Sequence, residues 1–503
     1  MKNKIYIPGA ILLLCIVSLS CTKLDQKVYS VVPESNFWKT PDQISAGLAP
    51  AYQALTSIPN GDVQQLNEVS SGEMIVPTRG NDWYDNGNWQ SIWLHTWKPD
   101  LGPINNAWGA LFNGIGKANF TLNVVNGLPD KPGNTDAINA ELKSLRAFYY
   151  YVAMDMFGNV PLIIDYNTDP GSVTNSDRKT VFAFIEKELK DNMALLPAKK
   201  EANTYGHFSK WAAQMLLAKL YLNAEVYTGT ARWSDCIAAC DSVIASGQYT
   251  LNSDYFANFA VNNEGSPENI FVVPFDKVYI QGNNWEMQTL HYQHNQTYNL
   301  TGTPWNGFCA TADFYNQFDS SDARTKMWLV GQQYDAAGNA IKDAQTSLPL
   351  IISPYVNELS NPSDSFRVAG VRNVKYHPEA GTAGSQSNDM AIFRLADAYL
   401  MKAEAEVRSG TNMTDALTLV NAIRERAGAP VMSDLTLPNL LAERQREFTW
   451  EGWGRQDAIR FGTFGNARKP GKPADPDAHT QIFPIPAPQI SANPNLKQNP
   501  GYQ

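Results

Sequence analysis

The sequence predicts a mainly α-helical protein, a scaffold of paired helices with a loop-rich lobe of mixed structure set into it. Three observations carry that expectation. Apolar residues recur at helical spacing along much of the chain, and two helix–turn–helix units repeat one design. Between those units the composition shifts towards Gly, Asn, Pro, Ser and Thr.

At the N-terminus, Lys2 and Lys4 precede an almost unbroken apolar run from Ile5 to Val17, and Ser18 and Ser20 flank Leu19 just before Cys21. A basic start, an apolar stretch and small residues together make a secretory signal. The run is shorter than the ~20 residues a bilayer-spanning helix needs. Residues 1–20 are therefore expected to be removed, which leaves Cys21 first. A cysteine there reads as the lipid-acceptor site of a bacterial lipoprotein, since two or more acyl chains anchor a protein stably. Plain secretion, with Cys21 present by chance, is the alternative.

The helices come next. Ala140 to Phe157 carries Leu142, Leu145, Tyr149, Val152 and Met156 on one stripe and stops at Gly158 and Pro161. Val181, Ile185, Leu189 and Leu196 repeat the pattern before Pro197. The segments Ala224–Gly229 and Ala405–Gly410 then end two similar helices, and each is followed at the same spacing by a second glycine, Gly247 or Gly428. Two hairpins of one design result, around Trp211–Gly247 and Arg394–Gly428. Hairpins of this size build tetratricopeptide-like solenoids, and Ala213, Ala218, Ala396 and Ala403 let the paired helices approach closely. The expected division is a helical part at 21–248 with an aromatic loop inserted at 80–103, a loop-rich lobe at 249–389, and a second helical part with an extended tail at 390–503.

Composition narrows the function. A chain of 503 residues, 43% apolar, buries a large core. A net charge of −9 argues against nucleic acid, which calls for basic patches. Once Cys15 leaves with the signal and Cys21 is acylated, Cys236, Cys240 and Cys309 remain, an odd set that makes no disulfide framework. Cys236 and Cys240, four apart on a helix, are expected to fill a packed face.

Several stretches resemble a known family. They include Asn36-Phe37-Trp38-Lys39-Thr40, Leu145-Arg146-Ala147-Phe148-Tyr149-Tyr150, Phe157-Gly158-Asn159-Val160-Pro161-Leu162 and Phe393-Arg394-Leu395-Ala396-Asp397. Near the C-terminus come Glu443-Arg444-Gln445-Arg446-Glu447-Phe448, Phe483-Pro484-Ile485-Pro486 and Asn499-Pro500-Gly501-Tyr502. In this order, essentially from Cys21 to Gln503, they resemble the SusD/RagB lipoproteins. The resemblance implies a non-catalytic protein of the outer membrane, lipid-anchored and facing the cell exterior. It would capture a glycan ligand, or in some branches a peptide, and hand it to a TonB-dependent transporter packed against the helical scaffold. It implies no cofactor.

Sugars present apolar C–H faces and many hydroxyls, so their binders pair flat aromatics with amides and carboxylates. The loop Asn81 to Trp89 has that composition, which makes Asp82, Trp83 and Tyr84 candidate ligand contacts. Trp89, Trp93 and Trp97, spaced by four, read as a core stripe. A second cluster in the middle lobe offers Trp285, Tyr292 and Trp305, with Trp305 in a piece the family shares. The two clusters are expected to converge into one cradle, with Trp83 and Trp285 stacking on sugar rings.

Catalysis has weaker support. Glu443, Glu447 and Glu451 sit four apart among Arg444, Arg446 and Arg455, which reads as a salt-bridge lattice fixing a helix. His291 and His294 lack a third ligand at zinc spacing, so no metal is assigned. The rival readings are a peptide-binding member of the same family, an outer-membrane glycosidase and a helical adaptor.

Overall fold

The computed structural model describes residues 37–502. The expected signal segment, Cys21 and Asn36 lie outside the described residues. Helix α1 (Pro41–Gln53) starts at a reciprocal cap: Thr40 accepts from the Gln43 N–H, and the Gln43 side chain reaches back to the Thr40 N–H. Next come α2 (Asp62–Ser71), α3 (Asn88–Leu94), α4 (Gly102–Gly127) and α5 (Thr135–Phe157). Helix α5 begins five residues earlier than its apolar stripe and ends, as expected, at Gly158. Helix α6 (Arg178–Asn192), capped by Asp177, stops before Leu196, which lies beyond a following 3-10 turn.

Both expected hairpins are present. Helix α7 (Lys210–Leu222) continues after a break at Asn223 through Ala224–Thr228, turns at Gly229 and returns as α8 (Trp233–Ile244). After the middle lobe, α9 (Leu395–Ser409) turns at Gly410 and returns as α10 (Met413–Arg426). Gly229 and Gly410 have φ of 77° and 70°, left-handed values at which a side chain is strained. Helix α8 packs on both α7 and α9, so the two hairpins stack directly although a whole lobe separates them in sequence. Cys236 and Cys240 are free and buried within α8, as their spacing predicts. The fold is mainly α and tetratricopeptide-like.

The intervening lobe is held by short pairings. Strand β1 (Thr78–Arg79) runs parallel to β3 (Ser360–Asn361), and β2 (Asn269–Val273) runs antiparallel to β4 (Met390–Arg394). Strand β4 feeds straight into α9, so the lobe and the second hairpin share one rigid connection.

Beneath the lobe lies a buried ionic lattice. Glu443 and Glu447 end α11 (Leu437–Glu447), and Glu451 follows beyond it. A lattice was expected, but from neighbours on the same helix. Only Arg446 pairs that way, with Glu443. The other partners come from elsewhere: Arg324 to Glu443 and Glu447, Arg394 to Glu268, Glu447 and Glu451, Arg426 to Glu447, and Lys375 to Glu451. Arg444 and Arg455 serve Asp457 and Asp155 instead. Buried carboxylates need opposite charge from every side, and one helix face cannot supply it.

Glu68 and Glu73 form a separate buried acidic pair. A Cβ added to Gly454 would lie 2.7 Å from Glu68 Oε2 and 3.0 Å from the Glu73 carboxyl carbon, so glycine is what lets the chain pass them. Burial pushes Glu68 up to about 8 from its ordinary 4.5. The folded protein thus keeps a proton that the unfolded chain releases above about pH 4.5, and this group's contribution to stability falls as pH rises towards 8. Glu68→Gln is expected to raise stability at pH 8 by roughly 2–4 kcal/mol and to leave it nearly unchanged at pH 4.5. Urea unfolding at the two pH values checks this.

Candidate functional site

The loop from Gly80 to Gly87 leaves β1 through a tight turn in which Arg79 and Asp82 exchange backbone hydrogen bonds. Trp83, Asp85 and Asn86 have φ of 61°, 40° and 56°, unfavourable for side chains and maintained only where surrounding contacts demand it. At Trp83 the contacts are clear. Its ring packs at 5.3 Å from Phe308 and 5.9 Å from Trp89, and its indole N–H donates to the Trp305 carbonyl at 2.7 Å. A Cβ on Gly307 would sit 2.3 Å from the Trp83 ring, so only glycine admits the indole.

The opposite side of the site is a segment pinned by its backbone. The N–H groups of Trp305, Asn306, Gly307 and Phe308 donate to carbonyls of Met287, Leu290 and Gln288. That fixes the main chain and leaves Trp305 42% exposed; Tyr84, which follows Trp83 in the chain, is 54% exposed. Tyr292 closes the arrangement by donating its hydroxyl to Asp82. Burial, and then this bond to a carboxylate, push the Tyr292 hydroxyl up to about 12, so it remains a proton donor.

Of the six candidates, Asp82 is joined to Tyr292 and Trp83 to Trp305, and Tyr84 follows Trp83 on the same loop, whereas Trp285 stands apart. It is 2% exposed, and its ring lies 5.3 Å from Tyr376 and 5.8 Å from Trp450. It starts a short helix whose carbonyls hold the Trp305 segment, so it supports the site from the core and offers no face to a ligand. Trp89, Trp93 and Trp97 are buried as expected, although α3 ends before Trp97. His291 and His294 have their ring nitrogens occupied. The Nδ1 atoms accept from the backbone N–H groups of Gln293 and His291, and the Nε2 atoms face Asp343 and Gln333. Burial lowers them to about 4 and about 3, which keeps both neutral.

Sequence reasoning missed Arg367. Its guanidinium stacks 4.8 Å over the Tyr292 ring, and its Nε donates to Asp343 at 3.1 Å. Asn306 locks the same corner, donating to the Arg367 carbonyl and accepting from Arg372. Burial raises Asp343, but hydrogen bonds from His291, the Thr346 N–H and Arg367 outweigh it and hold the carboxyl well below its ordinary range. No local pattern marks Arg367, because its partners lie far away in the chain.

The platform is open to solvent. Hollows of about 600 and 570 Å³ lie elsewhere, one against α4 and the C-terminal tail, the other against α1. Neither includes a residue of the aromatic cluster.

The fold is thus a helical-hairpin scaffold carrying a solvent-facing cluster of aromatic side chains. One family model, described as the SusD family, matches residues 267–502, and a second, described as starch-binding associating with outer membrane, matches residues 24–222. The chain belongs to the SusD/RagB family. It is similar to the starch-binding protein SusD of Bacteroides thetaiotaomicron, with 26% identity over 467 residues, 84% of this chain and 82% of the relative. It is also similar to a SusD-like protein of Bacteroides ovatus, 25% identical across 90% of this chain and 81% of that protein. Among solved structures, a laminarin-binding SusD-like protein superposes with a TM-score of 0.73 at 23% identity, covering 92% of this chain and 99% of that one. Surface glycan-binding protein A from Bacteroides uniformis gives 0.74 at 20% identity, covering 92% and 99%.

Proposed function

We propose that this protein captures neutral oligosaccharides or polysaccharides at the cell surface, on the platform of Trp83, Tyr84, Tyr292, Trp305 and Asp82. It then delivers them uncleaved to a TonB-dependent outer-membrane transporter. The observation that carries the reading is the pair of exposed rings, Tyr84 and Trp305, on backbone fixed by hydrogen bonds. Such rings offer stacking area without an ordering cost on binding. The names of the starch-binding and laminarin-binding relatives support the ligand class, and the description of the N-terminal family model supports the location. Cys21 is the anchor in this reading.

Charge favours a neutral ligand. Asp82 and Asp85 are exposed acids at the rim, while Arg367 is paired with Asp343 and Arg79 and Arg372 are buried. A sulfated or uronate chain would meet the acids, whereas hydroxyls find acceptors. The same acids do not form a hydrolytic pair. Asp82 is held by Tyr292 and Asp85 by the Trp89 indole N–H at 2.6 Å, and both side chains are already engaged within the protein.

Affinity gel electrophoresis of the mature chain against amylopectin, laminarin, xylan, mannan and a sulfated galactan tests this reading. Retardation in a neutral gel without release of reducing ends is expected. Retardation in the sulfated gel alone, reducing-end release, or binding of peptides in place of glycans would overturn it. Tyr292→Phe removes the bond to Asp82 but keeps the ring, so titration with the bound glycan should show a three- to tenfold weaker affinity, the net effect of about one ordinary hydrogen bond.

A further inference from the structure

The geometry points to a second carbohydrate site, for a short neutral oligosaccharide, in the cleft between α1, the turn at Tyr205–His207 and the hairpin at Asp276–Ile280. The cleft measures about 570 Å³, within the ~300–1,000 Å³ range of small-ligand pockets. It shares no residue with the platform described above.

Its chemistry is that of a sugar site. Tyr52, Tyr205 and Tyr279 line it together with Gln53, Gln281 and His207, and no lysine, arginine, aspartate or glutamate is among the lining residues. Two carboxylates, Glu141 and Asp389, stand behind the wall and are already engaged. Glu141 accepts from the Tyr52 hydroxyl and lies 2.7 Å from His207 Nδ1, and Asp389 accepts from the Tyr205 hydroxyl and the Phe275 N–H. Asp389 thereby ties one wall of the cleft to the base of the hairpin that forms the other. The Tyr205 hydroxyl is oriented from behind by Asp389 and keeps its lone pairs for a ligand, whereas the Tyr52 hydroxyl also accepts from the Phe208 N–H.

Two further features face the cleft. Tyr279 is 88% exposed at the tip of a closed hairpin, where Asp276 Oδ1 accepts from the Val278 and Tyr279 N–H groups, each at 2.8 Å, and Asp276 and Ile280 exchange backbone bonds. Asn60 donates to the Gly282 carbonyl and fastens the hairpin's exit to the segment after α1. A large ring in water on so firm a mount is suited to stacking. On the facing wall, α1 contains Pro50. Proline has no N–H to give the carbonyl four residues back, so Ala46, also in the lining, retains an acceptor without its helical partner.

Isothermal titration with maltohexaose, laminarihexaose, xylohexaose and mannohexaose tests the second site. For the hexasaccharide that binds, the wild-type protein should take up two equivalents. Tyr279→Ala should lower this to one, as should Ala49→Trp, which fills the cleft from an exposed helical position. Trp305→Ala should also leave one equivalent, and the Tyr279→Ala/Trp305→Ala double variant none. One equivalent in the wild type, undisturbed by Tyr279→Ala and Ala49→Trp, overturns the second site and leaves the platform standing. One equivalent abolished by Tyr279→Ala but not by Trp305→Ala overturns the platform and supports the cleft. No uptake of any hexasaccharide overturns both.

Discussion

Trp305→Ala is expected to weaken glycan binding by about 30-fold or more, the loss of roughly 2 kcal/mol that marks a central aromatic contact. The fold should not change. Trp305 contributes to the lobe through its backbone, with its N–H bonded to Met287 and its carbonyl to Trp83, and both bonds survive the substitution. Trp83→Ala would lose affinity too, but it would also empty the space against Phe308, Trp89 and Gly307, so its result would mix binding with stability. Trp305 separates the two. An affinity within threefold of wild type, with an unchanged unfolding midpoint, would mean the ligand lies elsewhere.

The largest stability effect is expected at Arg394. Arg394→Ala removes the cation shared by Glu268, Glu447 and Glu451, whose side chains are all buried. Breaking a buried ion pair from one side costs about 3–5 kcal/mol, because the remaining charge stays in the interior. Arg324, Arg426 and Lys375 offset part of that charge but cannot replace its geometry. Arg394→Lys should restore less than half the loss, since a single ammonium cannot reach three carboxylates at once. Urea unfolding measures both. A loss below about 1 kcal/mol for Arg394→Ala would show that the lattice contributes little. Because Arg394 also begins the connection from β4 into α9, the same variant should loosen the lobe relative to the hairpins.

Much of the scaffold was legible because helical stripes and terminating glycines act locally. Gly158, Gly229 and Gly410 end helices where the sequence places them. At Asp82–Tyr84 the rule that aromatics among Asn, Asp and Gly avoid a core holds for the exposed Tyr84 but not for Trp83, whose ring packs on Phe308, Trp89 and Gly307. That logic failed at Trp285. Its neighbours Asn283 and Asn284 look like loop residues, yet Asn283 is buried and gives its amide to the Asn388 carbonyl. An amide that satisfies backbone inside the protein carries the same letter as one facing water. Arg367 and the partners of Glu443, Glu447 and Glu451 were illegible because each contact joins elements far apart in the chain, and no spacing records such a meeting.

The central claim is that a glycan is held by the exposed rings of the platform. The most direct measurement is a crystal structure of the protein with the oligosaccharide corresponding to the polysaccharide that retards it. The expected result is a sugar ring stacked on Trp305 or Tyr84, with a hydroxyl hydrogen-bonded to Asp82 or Tyr292. Sugar bound only at sites sharing no residue with that platform would contradict the account.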